Sequence, residues 1–224
     1  MTTNVKITVT PYSSKYDEPV SFRVHHLLPE QRLTLILKVK HRCYRFGTYA
    51  FYKADAGGQV NVDTDPAFGG SYTDVEPMGL FSFMKPLPGQ RKGIRFAPNP
   101  AHMPCDFELF AVEDDYNINI YQIQIEEHRI LARAVFQRYL MDPAKTTRVP
   151  LVNQPIEGVL FYPSGSPPEG GFPTIIDMYG LGVGLTEHRA SLLASHGFAV
   201  LALAYMMINN LPKKPTDIKF EYFE

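Results

Sequence analysis

The chain has 224 residues, with 22 Lys and Arg against 23 Asp and Glu, for a formal net charge of −1. That balance gives no reason to expect a polyanion or a membrane surface as partner, so no nucleic acid is expected. Hydrophobic residues make up 45% and charged residues 20%, an ordinary globular mixture with room for one large domain or two small ones. The 19 Pro and 16 Gly are spread along the chain and favour many short elements over long helices. No run approaches the ~18 apolar residues of a bilayer-spanning helix. The start, Met-Thr-Thr-Asn-Val-Lys, has neither an apolar signal core nor an Arg-rich presequence. The expectation is a soluble intracellular protein. Cys43 and Cys105 are too few for a disulfide framework and read as buried reduced thiols.

Residues 1 to about 140 read as all-β. Lys6 to Thr10 alternates, with Ile7 and Val9 on one face. Pro19 to Val24 alternates again and turns Val20, Phe22 and Val24 inward, and Thr34 to Lys40 does the same with Leu35 and Leu37. Tyr44 to Tyr52 is aromatic and strand-like, and Ala56-Gly57-Gly58 makes a turn after it. Val60 to Val62, Phe81 to Met84, Phe107 to Val112, Ile118 to Ile125 and Ala132 to Gln137 supply further short strands, separated by Gly, Pro and Asp clusters. No stretch here has helical periodicity. The spacing predicts a two-sheet β-sandwich of immunoglobulin-like type over residues 1–147.

From about residue 148 the pattern changes. Ile156 to Tyr162 reads as a strand, and the compact run Thr174 to Met178 as a buried parallel strand. Gly180, Gly182 and Gly184 follow. Leu185 to His196 carries Leu185, Ala190, Leu192 and Leu193 on a helical spacing, and Gly197 ends that helix. Ala199 to Tyr205 is a second continuous apolar strand. Strand, glycine loop, helix and strand make one βαβ unit with parallel strands. A new helix is expected near Thr216 or Asp217, either of which would cap it. One βαβ unit cannot cover both faces of a doubly wound sheet, so residues 148–224 read as the opening of a larger domain. Left unpaired, the apolar run Ala199 to Tyr205 would be an aggregation liability.

Two long stretches carry a resemblance. The second half, through Gly171-Phe172-Pro173-Thr174-Ile175-Ile176-Asp177-Met178-Tyr179-Gly180 and through Glu187 to Tyr205, resembles the start of an α/β-hydrolase domain. The first half carries Gly69-Gly70-Ser71-Tyr72-Thr73-Asp74-Val75-Glu76-Pro77-Met78-Gly79-Leu80. In this order the two are similar to the acyl-CoA thioesterase/bile-acid-CoA:amino-acid N-acyltransferase family, from roughly Val9 to Glu224. The resemblance implies a β-sandwich followed by the incomplete start of an α/β-hydrolase domain over residues 148–224. It implies cleavage of an acyl-CoA thioester through an acyl-enzyme, with fatty acyl-CoA as substrate and a Ser or Cys nucleophile, a His base and an orienting Asp. Water then completes hydrolysis, or an amino acid such as glycine or taurine takes the acyl group. A peroxisomal address is open if a C-terminal signal lies beyond Glu224; otherwise the cytoplasm is expected.

Few parts of that machinery fall in the sequence. No Gly-x-Ser-x-Gly or Gly-x-Cys-x-Gly elbow occurs. The nearest run, Leu193 to Gly197 around Ser195, lacks the first glycine and leads from helix to strand. In the family order the elbow lies past Glu224, as do the acid and the base, and the chain alone is expected to be inactive. The loop from Tyr179 to Gly184 is the one candidate: Gly180, Leu181, Gly182 and Val183 are positioned in sequence where a backbone N–H completes the oxyanion hole of α/β-hydrolases. A plain βα turn, with glycines for close packing, accounts for the same residues. The loop fits neither dinucleotide nor Walker spacing. His25, His26, His41, His102, His128, His188 and His196 stand at no metal-ligand spacing, so no metal or organic cofactor is expected. His188, between Glu187 and Arg189, reads as part of a solvated helix face, and Asp177 as a structural group bonding nearby backbone. The Ser71 to Asp74 loop reads either as a turn framework or as a docking element for the second domain. A non-catalytic binding or regulatory fragment is the third reading of the chain.

Overall fold

The structure is a computed structural model that describes residues 4–91, 93–98, 101–113, 129–151, 155–180 and 184–224. The chain divides into two compact units, one of Met1–Phe96 with Cys105–Arg138 and the other of Ala97–Pro104 with Tyr139–Glu224.

The first unit is built from two antiparallel sheets. Strands β1 (Lys6–Thr10), β3 (Ser21–His25) and β6 (Val60–Asn61) form one, in the order β1-β3-β6. The other contains β2 (Ser13–Lys15), β4 (Arg32–His41), β5 (Tyr44–Lys53), β7 (Lys85–Pro86), β8 (Cys105–Glu113) and β9 (Ile130–Tyr139). Its order is β2-β9-β8-β4-β5-β7. Alternation places Val20, Phe22 and Val24 of the first sheet and Leu35, Leu37, Phe107, Leu109 and Phe136 of the second in one buried cluster. The central strand β4 is buried on its other face as well, where Ile36 packs with Phe110 and Val112. Gly58 supplies the expected turn: its φ is +72°, and a Cβ there would run into the Leu27 carbonyl.

Two sequence expectations fail in this unit, the strand from Phe81 to Met84 and the burial of Cys43, whose side chain is exposed while Cys105 is buried. Phe81 to Met84 is not a strand; Gly79–Ser82 forms a single helical turn, α1. The reason is that the adjacent Leu80 and Phe81 both join the main core, whereas a strand would send neighbours to opposite faces. The short β2 and β7 carry too few residues for a period and were not anticipated. The expected strand Ile118 to Ile125 lies outside the described residues.

The second unit holds one four-stranded sheet, made of β10 (Thr146–Leu151), β11 (Glu157–Pro163), β12 (Thr174–Met178) and β13 (Ala199–Ala204) in the order β10-β11-β13-β12. Strands β12 and β13 pair in parallel, from Thr174 opposite Ala199 to Met178 opposite Leu203, and β11 runs antiparallel to β13. No strand was expected where β10 runs, from before residue 148 and through Pro150. The proline is tolerated because β10 lies at the sheet edge and pairs only with β11. Strand β13 is interior, with β11 on one side and β12 on the other, so the expected liability of an unpaired β13 is corrected: the open apolar edge is β12. Helix α2 covers His188–Ala194, shorter than the expected Leu185 to His196, and buries Ala190, Ser191 and Ala194. Gly197 follows it with φ +99°. No helix begins at Thr216; Pro215–Asp217 and Phe220–Tyr222 are 3-10 turns. The Thr216 hydroxyl bonds the Asp217 carboxylate instead of capping a helix N–H. Among the described residues no helix is long and apolar enough to cross a membrane.

Candidate functional site

The candidate site is the loop between β12 and α2. It leaves the carboxyl end of β12, which pairs in parallel with β13, the end of a parallel sheet at which α/β folds place ligands. Of its candidate residues, Gly180 is described, and a Cβ added there would meet nothing within 4 Å. Leu181, Gly182 and Val183 lie outside the described residues. Gly184 at the far end has φ +66°, a left-handed conformation that suits glycine.

Side chains hold the first part of this loop from both sides. Arg189, in the first turn of α2, donates to the Asp177 carboxylate at 2.5 Å and to the Met178 carbonyl at 3.2 Å. Its guanidinium carbon lies 5.2 Å from the centre of the Tyr179 ring. The Tyr205 hydroxyl donates to the Tyr179 carbonyl at 2.7 Å. The His188 ring meets the Tyr179 ring at 5.8 Å in an edge-on arrangement. Burial, and then the charge of Arg189, push the His188 imidazole below its usual range, with Asp177 acting in the opposite direction. His188 is therefore half-buried against Tyr179, and the expected solvated face belongs to Arg189 alone. Asp177 has a structural role, but through a cationic side chain more than through backbone.

Glu187 anchors the start of α2. It is buried and receives two parallel hydrogen bonds from Arg148 on β10, both 2.8 Å. Such forked pairs fix direction as well as distance, and the pairing raises the Arg148 pKa. Ser195 is committed elsewhere: its hydroxyl donates to the Ser191 carbonyl at 3.0 Å, at the opposite end of α2 from the loop. Arg189, Tyr205 and Arg148 were not anticipated as loop and helix anchors. The Asp177–Arg189 contact spans a turn, where no periodic pattern signals it.

The Gly69 to Leu80 stretch has a framework role in the first unit. It runs beside β5, with hydrogen bonds from the Phe51 amide to the Gly69 carbonyl at 2.9 Å and from the Ser71 amide to the Tyr49 carbonyl at 2.8 Å. Gly70 has φ +110°, and a Cβ there would lie 2.6 Å from the Tyr49 carbonyl oxygen. Tyr72 turns into the core and its hydroxyl meets the Tyr52 hydroxyl at 2.9 Å. Gly79 passes beneath the Tyr72 ring, where a Cβ would come within 2.6 Å of Cζ. Among the described residues no group of three or more His, Cys, Asp and Glu side chains is placed to hold a metal ion.

Residues 17–152 match the family described as acyl-CoA thioester hydrolase/BAAT N-terminal region. The chain belongs to this family. Its relatives include acyl-coenzyme A thioesterase 6 of Mus musculus, 40% identical over 94% of this chain and 47% of the relative. The mitochondrial acyl-coenzyme A thioesterase 2 of Rattus norvegicus is 39% identical over 99% of this chain and 46% of the relative. Acyl-coenzyme A amino acid N-acyltransferase 2 of Mus musculus is 39% identical over 98% of this chain and 50% of the relative. The chain thus spans about half the length of the curated relatives it matches. The family match covers the Gly69 to Leu80 framework, and the relatives' alignments extend through the β12–α2–β13 unit.

Proposed function

We propose that this chain is the N-terminal part of a fatty acyl-CoA thioester hydrolase: a β-sandwich domain, then the opening of an α/β-hydrolase domain from about residue 148. The observation that carries the reading is the parallel β12–α2–β13 unit with a glycine loop at its carboxyl end, in a chain of this family. In the reaction, a Ser or Cys supplied by sequence after this sheet attacks the thioester carbonyl. The C–S bond breaks, the CoA thiolate leaves and takes a proton, and water releases the acyl group as a carboxylate. Negative charge collects on the carbonyl oxygen in between. Backbone N–H groups of Leu181, Gly182 and Val183 are the proposed donors to it, a role worth about 3–4 kcal/mol where one donor has been removed in other enzymes. Arg189, Asp177 and Tyr205 are positioning residues for the loop.

Transfer of the acyl group to an amino acid shares every step up to the acyl-enzyme. The relatives so named are as similar to this chain as the thioesterases are, so the two outcomes separate only at the acceptor. The reading is tested by assaying CoA release from palmitoyl-CoA with the 224-residue chain, and by sequencing the transcript past the Glu224 codon. It is supported by no turnover from the chain and a continuation into Gly-x-Ser-x-Gly or Gly-x-Cys-x-Gly with Asp and His later. A stop codon at that point would turn the reading to a non-catalytic binding or regulatory protein. Saturable turnover by the chain alone would overturn the claim that the nucleophile lies outside it.

A further inference from the structure

The β-sandwich unit contains a cavity that the thioesterase reading leaves unused. Its volume is about 580 Å³, within the range of small-molecule sites. The wall is aromatic and thioether, formed chiefly by Phe46, Phe81, Phe96, Phe107 and Met84. The Tyr16 hydroxyl, Ser82, Arg95 and Arg138 interrupt this apolar lining. Arg138, near the end of β9, lines the cavity and is 1% exposed.

A buried guanidinium needs its hydrogen bonds and its charge answered. One terminal nitrogen of Arg138 donates to the Lys15 and Glu18 carbonyls, both at 2.6 Å. The guanidinium carbon also lies 4.6 Å from the centre of the Phe81 ring and 5.5 Å from that of Tyr16. These acceptors are neutral, and the carboxylates of Glu18 and Asp17 favour its charge from nearby. Nε of Arg138 has no hydrogen-bond partner among the described residues. The Tyr16 hydroxyl, on the same cavity, has the Cys105 thiol near it but makes no well-formed hydrogen bond. Two donors are therefore left open beside one apolar cavity, each costing about 1–3 kcal/mol while unpaired. Arg95, exposed on the cavity wall, adds a second positive charge.

We propose that this cavity binds a small apolar carboxylate, with its head against Arg138 and the Tyr16 hydroxyl and its hydrocarbon body against the Phe and Met wall. A neutral hydrocarbon would fill the cavity but leave both donors open. A strongly polar anion would answer the donors and waste the aromatic wall. A carboxylate only accepts hydrogen bonds, which suits a site offering only open donors, and its bonds to Arg are of the strong charge-assisted kind. Both donor atoms are shielded from water, so seating the head needs a small shift of the lining, which the unbranched Met84 side chain allows. The site stands whether or not the thioesterase reading does, since all of its residues belong to the sandwich unit.

The test is a calorimetric titration of the whole 224-residue chain with decanoate, and with 1-decanol as the uncharged counterpart. One saturable site is expected, with decanol at least tenfold weaker. Arg138→Lys should weaken decanoate more than decanol. Ser82→Trp, which fills the cavity from its exposed wall, should abolish decanoate binding while the melting temperature holds, and this variant decides the matter if Arg138→Lys fails to fold. Equal affinity for the two compounds, absence of saturable binding, or unchanged decanoate binding in Ser82→Trp would overturn the proposal.

Discussion

At Tyr52 and Tyr72 two phenols meet inside an apolar core, each the hydrogen-bond partner of the other. Removing one hydroxyl leaves the second buried and unpaired, which costs about 1–3 kcal/mol; removing both leaves nothing unpaired. Tyr72→Phe alone should therefore destabilise the chain by that amount, and Tyr52→Phe with Tyr72→Phe by less than the sum of the two single changes. Urea unfolding of the four proteins checks this as a double-mutant cycle, and strict additivity would show that the pair is not coupled. Gly79 has the matching steric role, since a Cβ would press on the Tyr72 ring. Gly79→Ala should cost about 1–3 kcal/mol as an overpacked core does, read in the same assay. Lys38 on β4 gives a pH signature. Burial pushes its ammonium down to about 8, against the attraction of Glu108, its partner across the sheet. The unfolded chain then holds the proton more tightly than the folded one, so Lys38 lowers stability at pH 7 and that penalty fades as pH rises from about 8 towards 10.5. Lys38→Met should flatten stability against pH in that window, and urea midpoints at pH 7.5 and 10 would show it. An unchanged slope would mean that Lys38 is solvated after all.

At the scale of elements, the sequence is most readable where one physical signal dominates. Strand β1 was expected with the bounds it has, and β13 to within a residue, because alternation or unbroken apolarity leaves little else to form; β12 has the expected bounds and parallel pairing but not the expected burial, since it lies at the sheet edge and none of its residues is buried. Helix α1 is not legible in the sequence because Leu80 and Phe81 both join the core, and two adjacent apolar residues look alike in a strand and in a helical turn. Strand β10 carries Pro150, a residue a sheet tolerates at its edge, and that edge position is visible only in the fold. The candidate loop was visible as a run of glycines, but the groups that hold it were not: Arg189 reaches Asp177 across a turn, and Tyr205 reaches Tyr179 from the next strand. Arg189→Ala should speed amide hydrogen exchange from Tyr179 through Gly184 without altering exchange in β1 or β3, and unchanged rates in the loop would remove Arg189 from its positioning role. Gly197 caps α2 at φ +99°, and Gly197→Ala should cost about 1–2 kcal/mol, the penalty of a left-handed L-residue, measured by thermal unfolding.

For the molecule as a whole, the open edge of the second unit matters most. Among the described residues strand β12 pairs on one side only, and its Ile176 and Met178 are 61% and 48% exposed. An apolar, unpaired edge is a template for another chain. The isolated chain should associate as its concentration rises, and Ile176→Lys should suppress this in sedimentation velocity; equal association of both proteins would place the contact elsewhere. The first unit has a different long-range feature. Arg138 closes it by holding the carbonyls of Lys15 and Glu18, which precede it by 123 and 120 positions. A ribosome adds about 5–20 residues per second, so roughly 6–25 s separate the synthesis of that turn from the synthesis of the arginine that secures it. Strands β4 and β5 meet across a tight connection and pair with no such delay. A nascent chain therefore carries a folded hairpin beside an unlatched N-terminal segment, and Ser13 to Glu18 is the seam that stays open to a chaperone or a protease until the last strand of the sandwich arrives.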